Sequence, residues 1–329
     1  MEAASYRATT RPRSKVRRQR GIRAALMSAL FLGMAPVFGK QAILFGFSPL
    51  AIVALRTGIA TLLISTLMAI FKRRSFYIYP VGFFGCLLAG IINGLGSILY
   101  YAALSRLDAS IGQLLYSFYP IFVAMWLMID QQPVSRITLI RLGIAIPGMY
   151  LLLSTGSHRI DLIGATMMFG SAVLYALHLL INQRVLYEVP AQTVTLYTLV
   201  AMSGTVLIVF LIFNPHLPKG GTPWWPVIGM ALVTFLSRLM LFSGIKNLGG
   251  MQTALLGLGE LLVTVSLAIS WLGEYLTWLQ WIGAGLLICS MLMVGLDRHA
   301  PDKRHYSGWL AWLNSPIIRS GDLPWQPNP

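Results

Sequence analysis

One acid, Glu260, interrupts the apolar run LLGLGELLVTV (255–265), and one base, Arg238, interrupts the run ALVTFLSRLMLF (231–242). Between hydrocarbon chains an ionised side chain costs about 2.5–3.5 kcal/mol on insertion scales, so each charge must be compensated or used. If the two runs form a hairpin turning near Leu248, Arg238 lies ten residues before the turn and Glu260 twelve after it. At about 1.5 Å per residue their depths then differ by about 3 Å, close enough to pair across adjacent helices. Gly257 and Gly259 beside the acid would let the helices approach closely. Two chemistries fit this spacing. Arg238 could anchor an anionic substrate group while Glu260 serves as counter-charge or proton carrier, or the two could be an ion pair that only holds the hairpin.

Other polar side chains fall at positions where they could line a cavity with this pair. Gln113 and Tyr116 are three residues apart and share a helical stripe, followed by Tyr119 and Pro120. Proline there should kink the helix and free a carbonyl, which a membrane protein tolerates against protein or a cavity. Asn93 and Tyr100 lie on the preceding run, and Tyr175 and His178 share a face further on. These groups suit an amphipathic or aromatic solute, although each is also an ordinary packing or interface residue. His178 could relay protons or be a hydrogen-bonded packing histidine. Lys40 and Arg56 are expected near helix ends, where long cationic chains snorkel without a function.

The elements that must position these residues follow from composition. Hydrophobic residues make up 56% of the 329, charged residues 11%, and mean hydropathy is +0.71, against roughly 25% charged residues in soluble domains. The chain reads as an all-α integral membrane protein. A bilayer core about 30 Å thick takes about 20 apolar residues per helix. That ruler gives ten spans, near 24–43, 50–71, 80–103, 108–129, 137–155, 162–182, 191–213, 224–245, 250–272 and 278–296. Short connections with turn signals such as Asn214-Pro215 and Gly249-Gly250 leave no room for a soluble domain. Cys86 and Cys289 lie in apolar stretches, suggesting neither disulfide framework nor metal site.

The net charge of +15 is unevenly spread. Eight of the 25 Lys and Arg fall between Arg7 and Arg23, and others at Lys72–Arg74 and in the tail after Asp297, whereas the opposite loops hold only Arg106, Arg159 and Lys219. The positive-inside rule puts both termini in the cytoplasm. This distribution argues for a lipid bilayer rather than nucleic acid as the basic partner. The basic N-terminus reads as a signal anchor rather than a cleaved signal peptide. The tail SGWLAWLNSPIIRS (307–320) would place Trp309, Trp312 and Leu313 on one side of a short helix at the membrane surface.

Sliding the sequence by 140 residues superposes Arg106 on Lys246, Gly143 on Gly283 and Pro120 on Glu260. Ten spans then divide into two five-helix repeats, 24–155 and 162–296, between basic tails at 1–23 and 297–329. Five being odd, the second repeat must enter from the opposite side, giving an inverted repeat whose substrate site lies near the midplane where the halves meet.

The segments SPLAIVALRTGIATLLI (48–64), YYAALSRLDASIGQLLYSFYPIFVAMW (100–126) and WLGEYLTWLQWIGAGLLI (271–288) resemble the EamA-type members of the drug/metabolite transporter superfamily. The resemblance covers about 24–296. It implies ten helices in two inverted repeats around a cavity lined mainly by spans 1, 3, 4, 6, 8 and 9, and carriage of amino acids, small metabolites, drugs or nucleotide sugars, often as export from bacteria. It also supports a shared architectural role for Arg56. The chain departs from the pattern in span one, LFLGMAPVFGK, in QQPVSRI where the second repeat keeps LGEYLTW, and at Leu261, where many relatives place proline.

No H-E-x-x-H, G-x-S-x-G or nucleotide-binding loop is present, and Glu260 is the one acid expected inside a span. The expected function is therefore a secondary, non-ATP transporter of a small organic metabolite or amino acid, an exporter of the bacterial inner membrane working by alternating access. The candidate site residues are Glu260, Arg238, Asn93, Tyr116, Tyr119, Gln113, Tyr100 and His178. No enzymatic activity, cofactor or metal is expected; protons are a candidate coupling ion and the protomer could act as monomer or homodimer. A lipid or lipid-linked substrate flippase and an intramembrane lipid-headgroup enzyme are the alternatives.

Overall fold

A chain this apolar must satisfy its backbone hydrogen bonds within each segment, and in the computed structural model it does so with helices. Residues 2–107, 109–132, 134–153, 161–213, 217, 221–272, 277–293 and 308–313 are described. In chain order the helices are α1 (Glu2–Leu44), α2 (Pro49–Phe71), α3 (Pro80–Leu104), α4 (Ala109–Tyr116), α5 (Tyr119–Ile129), α6 (Arg136–Leu153), α7 (Leu162–Leu186), α8 (Ala191–Phe213), α9 (Trp225–Leu248), α10 (Gly250–Gly257), α11 (Gly259–Leu272) and α12 (Trp278–Leu292). Among the described residues there is no strand.

Among the described residues, eight segments are long and apolar enough to cross a bilayer: Val16–Leu44, Pro49–Phe71, Pro80–Leu104, Ile111–Ile129, Leu162–Leu186, Ala191–Phe213, Trp225–Leu248 and Gly250–Trp271. The protein is thus a multi-pass membrane protein. The other two expected spans are α6, which carries Arg136, Arg141 and an internal Pro147, and α12, whose apolar part Trp281–Leu292 is short. Leu62, Phe71, Ile212 and Phe213 are exposed, as lipid-facing side chains should be.

The 140-residue shift found in the sequence reappears in the elements. Shifted by it, α4 falls one residue from α10, and α5 starts where α11 starts. Packing follows the same exchange. α1 packs on α9 as α7 packs on α3, α2 on α9 as α8 on α3, α1 on α11 as α7 on α5, and α4 on α11 as α10 on α5. The pairs α2–α8 and α6–α12 map onto themselves. Glycines set the closest of these approaches: a Cβ on Gly33 would lie 2.6 Å from the Glu260 carbonyl oxygen, and one on Gly90 would lie 2.7 Å from that of Thr198.

Two expected spans are broken. Span four divides into α4 and α5 at Ser117-Phe118, as Pro120 led one to expect: proline has no N–H to bond the Tyr116 carbonyl. Span nine, expected to run unbroken from 250 to 272, divides at Leu258 without a proline. The cause is an intruding side chain. The Tyr119 hydroxyl donates to the Ala254 carbonyl at 3.0 Å, the acceptor Leu258 would use in a continuous helix, and Leu258 N–H turns to Leu256 instead. Only glycine leaves room for it, because a Cβ on Gly257 would collide with that hydroxyl.

Of the stretch 307–320 only 308–313 lies among the described residues, and it docks on protein rather than presenting one apolar stripe. Leu310 and Leu313 are buried in the main core while Trp309 and Trp312 stay partly exposed, so Leu313 does not share their side as expected. Leu310 N–H donates at 3.1 Å to Oδ1 of Asp130, whose Oδ2 accepts from Arg184 Nη2 at 2.6 Å and from Gln132 Nε2 at 2.7 Å. Both charged groups are fully buried, so Asp130 is a second enclosed acid that the sequence placed only at a span end.

Candidate functional site

Residues near the middles of α3, α7 and α9 meet the two helix breaks around one central cavity of about 50 Å³, room for a few water molecules. It takes Leu32 and Ala35 from α1, Arg56 from α2, Asn93 and Ser97 from α3, Gln113 and Tyr116 from α4, Tyr175 from α7, Arg238 from α9 and Glu260 from α11. Both halves of the chain contribute. Apart from α2, these helices are the ones implied by spans 1, 3, 4, 6, 8 and 9.

Glu260 lies in the first turn of α11, where the helix dipole and unpaired N–H groups favour negative charge. Gln113 Nε2 reaches its Oε2 at 3.4 Å, and Gln113 Oε1 accepts from the Tyr100 hydroxyl at 2.8 Å, so a polar relay runs from α3 through α4 to α11. Thr264 Oγ1 donates to the Gly33 and Glu260 carbonyls and ties this turn to α1.

Arg238 faces the same cavity, but no direct ion pair joins it to Glu260 among the described residues; the hairpin pair expected from equal depth is not formed. The physical reason is packing: α11 packs on α1 and α4, and α1 packs on α9, so the two helices are not the close neighbours that a simple hairpin would make them. Its guanidinium instead lies 5.6 Å over the Tyr175 ring. Its Nη2 makes a long 3.5 Å contact to Asn93 Oδ1 and its Nη1 one of 3.5 Å to His178 Nε2, while Nε has no partner.

Arg56 does not snorkel. It is 5% exposed and turns inward, donating to Ser97 Oγ at 3.1 Å and Thr234 Oγ1 at 3.2 Å, with its guanidinium 4.7 Å over the Tyr101 ring. Its Nε is also unpartnered. Lys40 does take a structural role, donating to the Leu104 and Leu107 carbonyls at the end of α3.

Six of the eight candidate residues, Glu260, Arg238, Asn93, Tyr116, Gln113 and Tyr100, line the cavity directly. Tyr119 stands behind the wall, its hydroxyl committed to Ala254 and its ring 5.6 Å from that of Tyr116 and 5.1 Å from that of Tyr175. His178 is one turn deeper than Tyr175, with Nδ1 3.0 Å from the Ala89 carbonyl oxygen, its ring fully buried and touching Arg238 rather than open space. Arg56, Tyr101 and Tyr175 also line the cavity, although the sequence marked them only as a cation in an apolar run and as polar-tipped aromatics, outside the eight candidates. Leu32, Ala35, Gly96, Ser97 and Ser171 complete the lining; they are common packing residues whose direction no spacing reveals. A further cation, Arg141, is fully buried in α6, where Nε donates to the Ser290 carbonyl at 2.9 Å and a guanidinium nitrogen meets Gln252; it clamps α6 to α12 and α10 away from the cavity.

The arrangement can bind and neutralise charge in a confined, aromatic setting. Among the described residues no group of His, Cys, Asp and Glu could hold a metal ion.

Comparison with known proteins agrees with this architecture. The model of the EamA-like transporter family matches the chain twice, at residues 19–154 and 162–296. "Uncharacterized transporter sll1319" of Synechocystis sp. is 26% identical over 229 residues, covering 66% of this chain and 67% of that protein. An "Uncharacterized transporter" of Archaeoglobus fulgidus is 25% identical over 206 residues, covering 62% and 73%. A solved crystal structure at 16% identity superposes with a TM-score of 0.66, covering 85% of this chain and 96% of that one, and so shares the fold. Two matches that together take in nearly all of both halves place the chain in the EamA-like transporter family.

Proposed function

We propose that the protein is a secondary transporter that moves a small organic solute through the central cavity by alternating access. The observation that carries this reading is the cavity itself, which joins two buried arginines and one buried carboxylate from both halves at the point where two helices are interrupted. Half-helix ends beside a midplane site are the usual way a membrane protein meets a polar solute. The exchanged packing of the two halves supports two five-helix repeats, and with ten crossings the second is inverted. Rocking one repeat against the other would open the cavity to alternate sides. At about 50 Å³ the cavity is too small for a metabolite, so a solute enters only with such a movement.

Glu260 serves as counter-charge to the site or as carrier of a coupling proton, and Arg238 as an anchor. With no nucleotide loop in the sequence, the driving force is an ion gradient, exchange or the solute's own gradient. Charge asymmetry supports cytoplasmic termini in a bacterial inner membrane, and the family resemblance supports export of a metabolite or amino acid. The test is counterflow in vesicles reconstituted with the purified protein and loaded in turn with amino acids and small organic acids. Trans-stimulated uptake that disappears in Glu260→Gln supports the reading; if no loaded solute drives exchange and imposed proton gradients move none, it falls.

A further inference from the structure

We infer that the solute held in this cavity carries an oxyanion, a carboxylate or a phosphate, which docks between Arg56 and Arg238 against the tyrosine wall. This rests on the transport reading and adds the charge of what is carried. Two guanidinium groups face one carboxylate, and the remaining lining side chains are uncharged. The site therefore carries one unbalanced positive charge in a place where Arg56, Arg238 and Glu260 are each 4–5% exposed. An uncompensated buried charge is costly, and the usual remedy is a partner that the protein itself does not supply here.

The arginines also keep unspent donors. Nε of Arg56 and Nε of Arg238 are both buried without a partner. The Nη contacts of Arg238 are at the 3.5 Å limit, whereas Arg56 is held firmly by Ser97 and Thr234. Guanidinium offers five donors in a planar fork that fits the two oxygens of a carboxylate or phosphate. A carboxylate brings the site to charge balance, a phosphate carries up to about one negative charge beyond it, and either offers acceptors to donors that otherwise have none. Tyr100, Tyr116 and Tyr175 run side by side at ring separations of 5.0 and 5.3 Å. This wall suits an apolar or aromatic body attached to the anionic head. Gln113 and Glu260 on the opposite side discriminate against a second negative group.

The test is binding by the purified full-length protein in detergent, read as the rise in melting temperature against concentration of benzoate, phenyl phosphate, benzamide and benzylammonium. Benzoate or phenyl phosphate should stabilise, and which of them does so distinguishes carboxylate from phosphate. Benzamide, of the same shape without charge, and benzylammonium should not. Arg56→Gln and Arg238→Gln should each raise the half-saturating anion concentration at least about tenfold, the loss expected for one charge-assisted contact. If a glutamine variant does not fold, the corresponding lysine variant, which keeps charge but loses the fork, should still weaken binding, and the ranking of the four probes on wild type needs no variant. Stabilisation by benzamide or benzylammonium equal to that by benzoate, anion binding unchanged in both arginine variants, or no response to either anion overturns the inference. Anion binding with no counterflow of any solute would sink the transport reading alone, and counterflow of neutral or cationic solutes without anion binding would sink this one alone.

Discussion

Glu260 is set in a half-helix N-terminus with one neutral hydrogen-bond partner, Gln113, and an arginine across a cavity rather than in contact. Its charge is therefore available to a solute or a proton in a way that a closed ion pair would not allow. Glu260→Gln keeps size and an oxygen for Gln113, so the protein should melt within a few degrees of wild type while counterflow slows by tenfold or more, a change worth about 1.4 kcal/mol in barrier. Near-wild-type counterflow in Arg238→Met/Glu260→Leu would return both residues to a structural role. Asp130 is the opposite case, a closed pair. Its carboxylate is bonded to Arg184 at 2.6 Å with both side chains at 0% exposure, so Asp130→Ala takes one partner out of a fully buried ion pair and should cost about 3–5 kcal/mol. Chemical unfolding in detergent reads this directly. A melting temperature equal to wild type would show that the pair adds nothing to stability.

At the scale of elements, the two broken spans are coupled. Tyr119 begins α5, at the break of the first repeat, and its hydroxyl occupies the carbonyl released by the break of the second. Tyr119→Phe takes that donor from the Ala254 carbonyl, at less than the about 1–3 kcal/mol of a buried group left unsatisfied, because Leu258 N–H can replace it. Because Gly257 and Gly259 remain, the helix is then free to close at Leu258. Amide exchange at Leu258 should slow as its N–H regains Ala254, and faster exchange would mean that the glycines alone break the helix. The stretch 308–313 depends on one glycine in a similar way. Gly308 has φ of +97°, and a Cβ there would strike the Asp130 carboxylate. Gly308→Ala should release Leu310 from Asp130, seen as loss of protection at the Leu310 amide. Persistent protection would show that Leu310 and Leu313 hold the segment by apolar burial alone.

For the whole molecule, the exchanged packing pairs α1 with α9 and α7 with α3, so each half supplies the neighbours of the other and neither forms the cavity alone. An inverted arrangement makes a prediction about sidedness that charge also makes. Reporter fusions after His216 should read the outer side and fusions after Lys246 or Asp297 the cytoplasm. A cytoplasmic signal at His216 together with an outer signal at Asp297 would overturn both orientation and inversion.

Composition and span length by themselves determined that the chain is a helical membrane protein, because hydrocarbon admits no other way to satisfy a single segment's backbone. The 140-residue self-similarity was legible for the same reason that Pro120 was: backbone chemistry and spacing act along the chain. Intramembrane polar residues were also conspicuous one by one, which is why six of the eight candidates do line the cavity. What only tertiary structure decided was direction. In a helix apolar on all sides, no stripe tells the protein face from the lipid face, so sequence could count Arg238 and Glu260 from one turn but not say which helices pack beside them. The inward turn of Arg56 depends on Ser97 and Thr234 of two other helices, and the burial of Asp130 on Arg184 and Leu310, far away in sequence. The break at Leu258 needed a hydroxyl from residue 119, a contact that exists only once the two halves have packed.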